Sequence, residues 1–485
     1  MTGSSPARLA RAGLLAGPAL FALVMLLPPP AGLPPAGRLT AATAVLMAVW
    51  WLAEALPLAA TALVPLVLFP LLGVASIEDA ASPYASPVIF LFLGGFVIAA
   101  ALEECGLHRR MAVGIIRLAG TRPAGIVGGF MAATAFISMW VSNTATVVML
   151  LPMALSLIAW RDGVPDAPEA PAFARALLLG LAYAASIGGI GTLIGTPPNA
   201  LLAGFLSETY GIELGFLQWM MFGVPLILVS LPLAWLLLTR ELRRAPPESL
   251  AAATGGADPL AVPGLERAGP MSAAEWLVGT ITALTAAAWL FRPLLEGRVP
   301  GLSDAGIAVA GALLLFVIPV SWRRWKWALR WERVERLPWG VLILFGGGLA
   351  LAQAIQQTGL AAWLGTRMEG LAALPPLLIA AAVVTTVVFL SELASNTSVA
   401  AVFLPIVASL AVTVGESPLV FSVCTAVAAS TAFMLPVGTP PNALVYASGR
   451  VTAREMARAG LALNLLFIVL VTVAGWVLAP MVFGR

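Results

Sequence analysis

Apolar residues run in long, nearly unbroken stretches from about residue 12 to residue 483, separated by short polar and basic connections. At roughly 20 residues per crossing of a hydrocarbon core, this pattern predicts about eleven spans: 12–30, 40–56, 57–73, 86–107, 173–207, 217–239, 273–292, 304–320, 339–360, 415–449 and 460–483. Two further segments, 123–160 and 373–412, are too long for one crossing and too short for two with a solvent loop. Each has Ser-Asn-Thr near its middle. Non-helical backbone at membrane depth survives only where protein buries it or where it lines a wet cavity. Both segments are therefore expected to be re-entrant hairpins with deep, polar tips. The fold class expected is an all-α polytopic membrane protein; solid Leu, Ala and Val runs are unlike the alternation of a membrane β-barrel.

Composition agrees: 60% of residues are hydrophobic and 10% charged, against about 25% charged in soluble proteins. A water-soluble globule is excluded. The net charge of +3 is no sign of a nucleic-acid partner, because the basic residues sort by membrane side. With the hairpins returning, only Arg38, Arg292, Arg298, Arg367 and Arg485 fall outside, and the other Arg residues and Lys326 fall inside. This places the N-terminus in the cytoplasm, with a bacterial inner membrane as the expected location. The first apolar run lacks an Ala-x-Ala site and reads as a span, not a cleaved signal.

The chain is duplicated. Phe92-Leu93-Gly94-Gly95 matches Phe345-Gly346-Gly347-Gly348, and Gly106-Leu107 matches Gly359-Leu360. At the same offset Ser138 matches Ser391, Ser142-Asn143-Thr144 matches Ser395-Asn396-Thr397, and Pro152 matches Pro405. Gly195-Thr196-Pro197-Pro198-Asn199 matches Gly438-Thr439-Pro440-Pro441-Asn442 at a shorter offset, which puts an insertion of the first half in the connection 161–171. The expected organisation is an N-terminal helix at 1–39, a first repeat at 40–240, a cytoplasmic linker at 241–272 and a second repeat at 273–485. Spans 86–107 and 339–360 run in opposite directions, so the repeats are inverted, as in secondary transporters whose site lies between broken helices at the midplane.

The paired motifs suit a small hard cation beside an anion. A Ser-Asn-Thr tip offers neutral hydroxyl, amide and carbonyl oxygens, and the helix that starts there points its free N–H groups at the same spot. In Gly-Thr-Pro-Pro-Asn the two prolines remove amide donors and break the helix, while the glycine lets backbone approach a ligand. Sodium and a carboxylate fit such a set.

Over essentially its whole length the chain resembles the divalent anion/sodium symporter family. The resemblance rests on Ser-Thr-Ala-Phe-Met-Leu-Pro-Val-Gly-Thr-Pro-Pro-Asn-Ala-Leu-Val at 430–445, Ser-Met-Trp-Val-Ser-Asn-Thr at 138–144 and Ser-Glu-Leu-Ala-Ser-Asn-Thr at 391–397. It implies a homodimer in which a scaffold domain holds the dimer contact and a transport domain moves as an elevator. It also implies one sodium at Ser138, Ser142, Asn143 and Gly195 and a second at Ser391, Ala394, Asn396 and Gly438. The implied substrate contacts are Asn143, Thr144, Thr196, Pro197, Ser395, Asn396, Thr397, Thr439 and Pro440. Ser391 and Thr196 stand where relatives interchange Ser and Thr, and Gly438 where some have Ala.

The expected function is sodium-coupled symport of a small divalent anion, with four-carbon dicarboxylates such as succinate, malate or fumarate favoured over sulfate and tricarboxylates. The alternative is sodium-independent exchange, which would want a fixed cation; neither tip nor Pro-Pro break holds Arg, Lys or His. An enzyme is not expected, and no organic cofactor is called for: one His excludes His-Glu-x-x-His, and Lys326, the single Lys, is not in a phosphate loop. Cys105 and Cys424 read as small apolar-segment residues. Glu392 has two readings, a structural acid bonded to a neighbour or facing water, or an influence on the second cation. Glu54 reads as interfacial near a span end, His108 as a surface residue rather than a proton relay, and Trp322, Trp325, Trp327 and Trp331 as an interfacial belt helix.

Overall fold

A computed structural model of the chain describes residues 5–120, 122–162, 170–242, 265–266 and 269–484. Among these, nine helices are individually long and apolar enough to cross a membrane, or ten if the sharply bent pair Leu360–Ala373 and Pro376–Ser391 counts as one span. The expected spans 57–73 and 304–320 are shorter than that, as Leu58–Leu72 and Asp304–Val317. Most of the expected linker 241–272, and residues 163–169 of the insertion placed at 161–171, fall outside the described residues.

Prolines and glycines set the elements' ends. Pro-x-x starts such as Pro87, Pro123, Pro376 and Pro418 open helices at positions where no amide donor is needed. Gly106 (φ 78°) ends Pro87–Cys105 and Gly359 (φ 74°) follows Trp339–Gln357; this left-handed turn favours glycine. Each turn launches a short helix, Leu107–Leu118 and Leu360–Met368. The matched glycines of the two halves thus make the same turn.

Both candidate hairpins are helix pairs. Pro123–Ser138 and Asn143–Asp162 form the first, and Pro376–Ser391 and Asn396–Thr413 the second. In the second, Ile379 and Ala380 near the start of one arm cluster with Leu410 and Ala411 near the end of the other, so the arms run antiparallel. Its base packs on Leu360–Met368, where Ser409 donates to the Ala361 carbonyl (2.6 Å). The base of the first hairpin meets another set of residues. Trp235 donates to the Ala124 carbonyl (2.7 Å), and Asp162 pairs with Arg450 (2.6 Å).

These two bases lie at opposite ends of the bundle. Arg450 is near Glu455, which Arg175 joins to the region following Phe216–Leu238. Leu360–Met368 instead follows Trp339–Gln357, whose Gln356 bonds Tyr210 (2.9 Å) at the end of Pro197–Tyr210, the end that leads into Phe216.

Close backbone crossings hold the first hairpin against Ala170–Gly189 and the second break against the last helix, Ala453–Phe483. A Cβ on Gly188 would lie 2.2 Å from the Ala135 carbonyl oxygen, and one on Gly460 would lie 2.3 Å from that of Phe433. Small residues at helix crossings give this close approach in membrane bundles, where packing replaces the hydrophobic effect.

The Trp-rich segment is not a belt helix. Pro319–Ser321 and Lys326–Trp327 pair as an antiparallel ribbon around a single 3-10 turn at Trp322–Arg324, and Trp331–Val334 is a short α-helix. Trp325 adopts a left-handed backbone (φ 44°, ψ 50°) that turns the chain back on itself. Trp322 and Trp325 are still exposed, as an interfacial role requires.

Candidate functional site

A cavity of about 1070 Å3 lies where the two hairpin tips and the two Pro-Pro breaks meet. From the first half it is lined by Ser142, Asn143 and Thr144 at the tip and by Gly195, Thr196 and Pro197 at the break. From the second half come Ser395, Asn396 and Thr397 with Gly438, Thr439 and Pro440. All the expected substrate positions therefore face one space. Of the expected cation positions, Ser138, Ser391 and Ala394 do not line it; they are buried behind the tips.

Four helices begin at this cavity: Asn143–Asp162, Pro197–Tyr210, Asn396–Thr413 and Pro440–Ala447. Their first turns carry unsatisfied N–H groups and the positive end of the helix dipole. The breaks form for a local reason. Thr196 (φ −146°, ψ 143°) and Thr439 (φ −143°, ψ 151°) are extended N-cap residues, and the prolines fill the next two positions, where their missing N–H costs nothing.

Asn199 and Asn442 complete the breaks, a role the motif alone did not disclose. The Asn199 amide donates to the carbonyls of Gly189 (3.1 Å) and Thr192 (2.8 Å). That of Asn442 donates to Ala432 (3.2 Å) and Leu435 (3.1 Å). Each reaches back to carbonyls at the interruption of the helix, of which Thr192 and Leu435 also accept the N–H of Gly195 and Gly438. Replacing either by Leu takes the side-chain donor from a buried carbonyl, that of Gly189 or of Ala432, at about 1–3 kcal/mol for a buried polar group. A lower melting temperature in detergent is expected for both variants; an unchanged melting curve would remove this role.

The tips differ between the halves. Ser138 Oγ lies 2.6 Å from Asn143 Oδ1 and 2.8 Å from the Ala185 carbonyl oxygen. A hydroxyl has one proton, so three oxygens converge with a single hydrogen to share. Ser391 Oγ instead donates to Val387 of its own helix (2.8 Å), and Asn396 Oδ1 is buried with no hydrogen-bond partner.

Glu392 marks a further difference between the halves. Its carboxyl group accepts from the backbone N–H groups of Phe433 (2.7 Å), Met434 (2.9 Å) and Leu435 (2.9 Å) and from the Asn464 amide (2.8 Å). It is 3% exposed. The structural reading of this acid thus has named partners, one of them on the last helix, Ala453–Phe483. Asn464 was not singled out by the sequence. The matching residue of the first half, Met139, uses its carbonyl to accept from Thr192 Oγ1.

Glu54 is not simply interfacial. It lies in the interruption between Pro35–Leu52 and Leu58–Thr61, has φ 47°, and lines the cavity. Basic groups stand in an adjoining cavity of about 290 Å3 beside Ser142, lined by Arg336 and Arg333, and Arg333 faces Glu103 (3.5 Å). His108 lines neither cavity: its ring bonds the Leu102 carbonyl (2.9 Å), and burial lowers its pKa against that bond.

Comparison with known proteins gives this geometry a family. The sodium-dependent dicarboxylate transporter SdcS of Staphylococcus saprophyticus is 41% identical over 480 residues, covering 97% of this chain and 92% of that one. SdcS of Staphylococcus aureus strain USA300 is 40% identical over the same shares. The solved YdaH transporter of Alcanivorax borkumensis, described as having an unusual topology, is similar in fold with a TM-score of 0.57 at 16% identity, over 91% of this chain and 100% of that one. The family model for the sodium:sulfate symporter transmembrane region matches residues 10–483, which include both hairpins and both breaks. With nearly the whole chain matched and the duplicated motifs gathered around one cavity, the protein is a membrane transporter, not an enzyme, and belongs to the sodium:sulfate symporter family.

Proposed function

We propose that the protein couples an inward sodium gradient to uptake of a four-carbon dicarboxylate. The observation that carries this reading is the convergence of two tips and two breaks on one cavity whose described lining holds no Arg, Lys or His. A dianion placed there needs positive charge, and mobile cations can bring it. At the tips and breaks the available ligands are neutral oxygens, and among the described residues no three His, Cys, Asp or Glu side chains cluster. One sodium would sit at Ser138, Ser142, Asn143 and Gly195, where the oxygens around Ser138 outnumber their hydrogens. The other would sit at Ser391, Ala394, Asn396 and Gly438, where Asn396 Oδ1 has no partner. The four helix N-termini and the hydroxyls of Thr144, Thr196, Thr397 and Thr439 would hold the carboxylates, with Asn143, Ser395, Asn396, Pro197 and Pro440 shaping the pocket.

The bases of the hairpins at opposite ends of the bundle support inverted repeats with re-entrant hairpins. An elevator movement, a homodimer with a separate scaffold, a bacterial inner membrane and a cytoplasmic N-terminus complete the reading. The names of the SdcS relatives favour a dicarboxylate. The family's own description favours sulfate, a compact anion that both tips could grip at once.

Uptake of labelled succinate into proteoliposomes tests the coupling. The expected result is uptake that requires sodium and rises steeply with its concentration. Equal uptake in choline and sodium buffers, accelerated by internal dicarboxylate, would establish exchange instead. Unlabelled malate should compete more strongly than sulfate or citrate; stronger inhibition by sulfate would overturn the dicarboxylate assignment and leave the site standing.

A further inference from the structure

Among the described residues lining the central cavity, Glu54 is the only ionisable side chain. It is exposed there and belongs to neither repeat of the tip or break motifs. Its backbone is also unusual. With φ at 47° it occupies the left-handed region, which glycine adopts freely and other residues adopt at a cost. The Ala53–Pro57 interruption forces the turn: Glu54 N–H and Ala55 N–H bond back to the carbonyls of Trp51 (3.4 Å) and Trp50 (3.0 Å). Glycine would relieve the backbone there, yet the position carries a carboxylate. A strained residue aimed into a binding cavity points to a task for its side chain.

A sphere of the cavity's volume is roughly 13 Å across, so no ligand inside is far from this charge, and the charge repels any anion. Cations at the two tips can offset two negative charges on a ligand. A third has no such partner, because the lining offers no basic group, and it meets Glu54. We infer that Glu54 sets the charge limit of the cavity, admitting dianions and rejecting trianions of similar size. Discrimination of this kind is built by repulsion of the wrong ligand as much as by attraction of the right one. The inference rests on the dianion reading proposed above.

The probe pair is tricarballylate, a trianion at neutral pH, and its monoamide, a dianion of nearly the same shape. Each is used to inhibit labelled succinate uptake in proteoliposomes at fixed pH, sodium and ionic strength, and the ratio of the two inhibition constants is read. In the wild type the monoamide should inhibit much better. In Glu54→Gln, which removes the charge and keeps the shape, the ratio should fall about three- to tenfold, as expected for one charge pair across about 10 Å of partly wet protein. In Glu54→Asp the ratio should stay near the wild-type value. Glu54→Gly should lower the ratio as Gln does and, by relieving the backbone, raise the melting temperature; it keeps the test open if Gln folds poorly. A ratio unchanged in Glu54→Gln, a fall confined to Glu54→Gly, or a wild type that takes both probes equally would overturn the inference. Absence of sodium-driven succinate uptake in the wild type would instead overturn the dicarboxylate reading.

Discussion

Asn396→Ala is expected to abolish sodium-driven uptake while the protein still folds and purifies as the wild type does. Asn396 lies at the second tip, lines the cavity, and has a buried amide oxygen with no partner in the chain. An oxygen of this kind has been stripped of water without a hydrogen bond in return, which costs about 1–3 kcal/mol. A bound cation would recover that cost, so removing the oxygen costs little in the ligand-free protein and much in the loaded one. At 1.4 kcal/mol per tenfold, the loss corresponds to roughly ten- to a hundredfold in cation affinity, compounded in transport because the substrate depends on the cation. Asn143→Ala should be as damaging for transport but should also lower the melting temperature, since Asn143 Oδ1 lies 2.6 Å from Ser138 Oγ. Sodium titrations of uptake, together with melting curves in sodium and in choline, separate these outcomes. Wild-type sodium dependence in Asn396→Ala would exclude its oxygen from the site.

Glu392→Ala should have the largest effect on stability of any single change in the second half. Its carboxyl group is the acceptor for three backbone N–H groups and one amide, all gathered at the second break. Four donors left unpaired at about 1–3 kcal/mol each approach the whole stability of an ordinary domain, about 5–15 kcal/mol. The variant is expected to be poorly produced or to aggregate in detergent. Glu392→Gln keeps one oxygen and turns an NH2 toward N–H groups, so it should fall between the two. Asn464→Leu removes one donor and should be the mildest. Size-exclusion profiles and melting temperatures in one detergent rank the series, and wild-type behaviour of Glu392→Ala would refute the role.

Much of this arrangement was legible along the chain because its signals are local. The breaks at Gly195–Pro197 and Gly438–Pro440 follow from what proline and glycine do to any helix, and duplication marked them as a pair. Tip residues such as Asn143 and Asn396 were found the same way. What could not be read depends on residues distant in sequence. Nothing near Glu392 announces that Phe433, Met434 and Leu435 would surrender their helical acceptors to it, or that Asn464 would join them. Duplication even hid the point, because Met139 made the acid look like an exception. Glu54 escaped for a related reason: a carboxylate after Trp50 and Trp51 resembles an interfacial anchor until the positive φ and the cavity are seen. The Trp ribbon failed on a single residue, since a helix cannot absorb the left-handed turn at Trp325.

The bonds of Glu392 also bear on how quickly the carrier can cycle. They fasten the second tip to its break and to the last helix, and Ser138 and Thr192 fasten the first tip to Ala170–Gly189 and its own break in the same way. Neither tip can lift as a separate gate without giving up several buried hydrogen bonds. If the proposed elevator movement displaces these pieces as one body, turnover should be slow, steep in its temperature dependence and sensitive to the thickness and fluidity of the surrounding lipid.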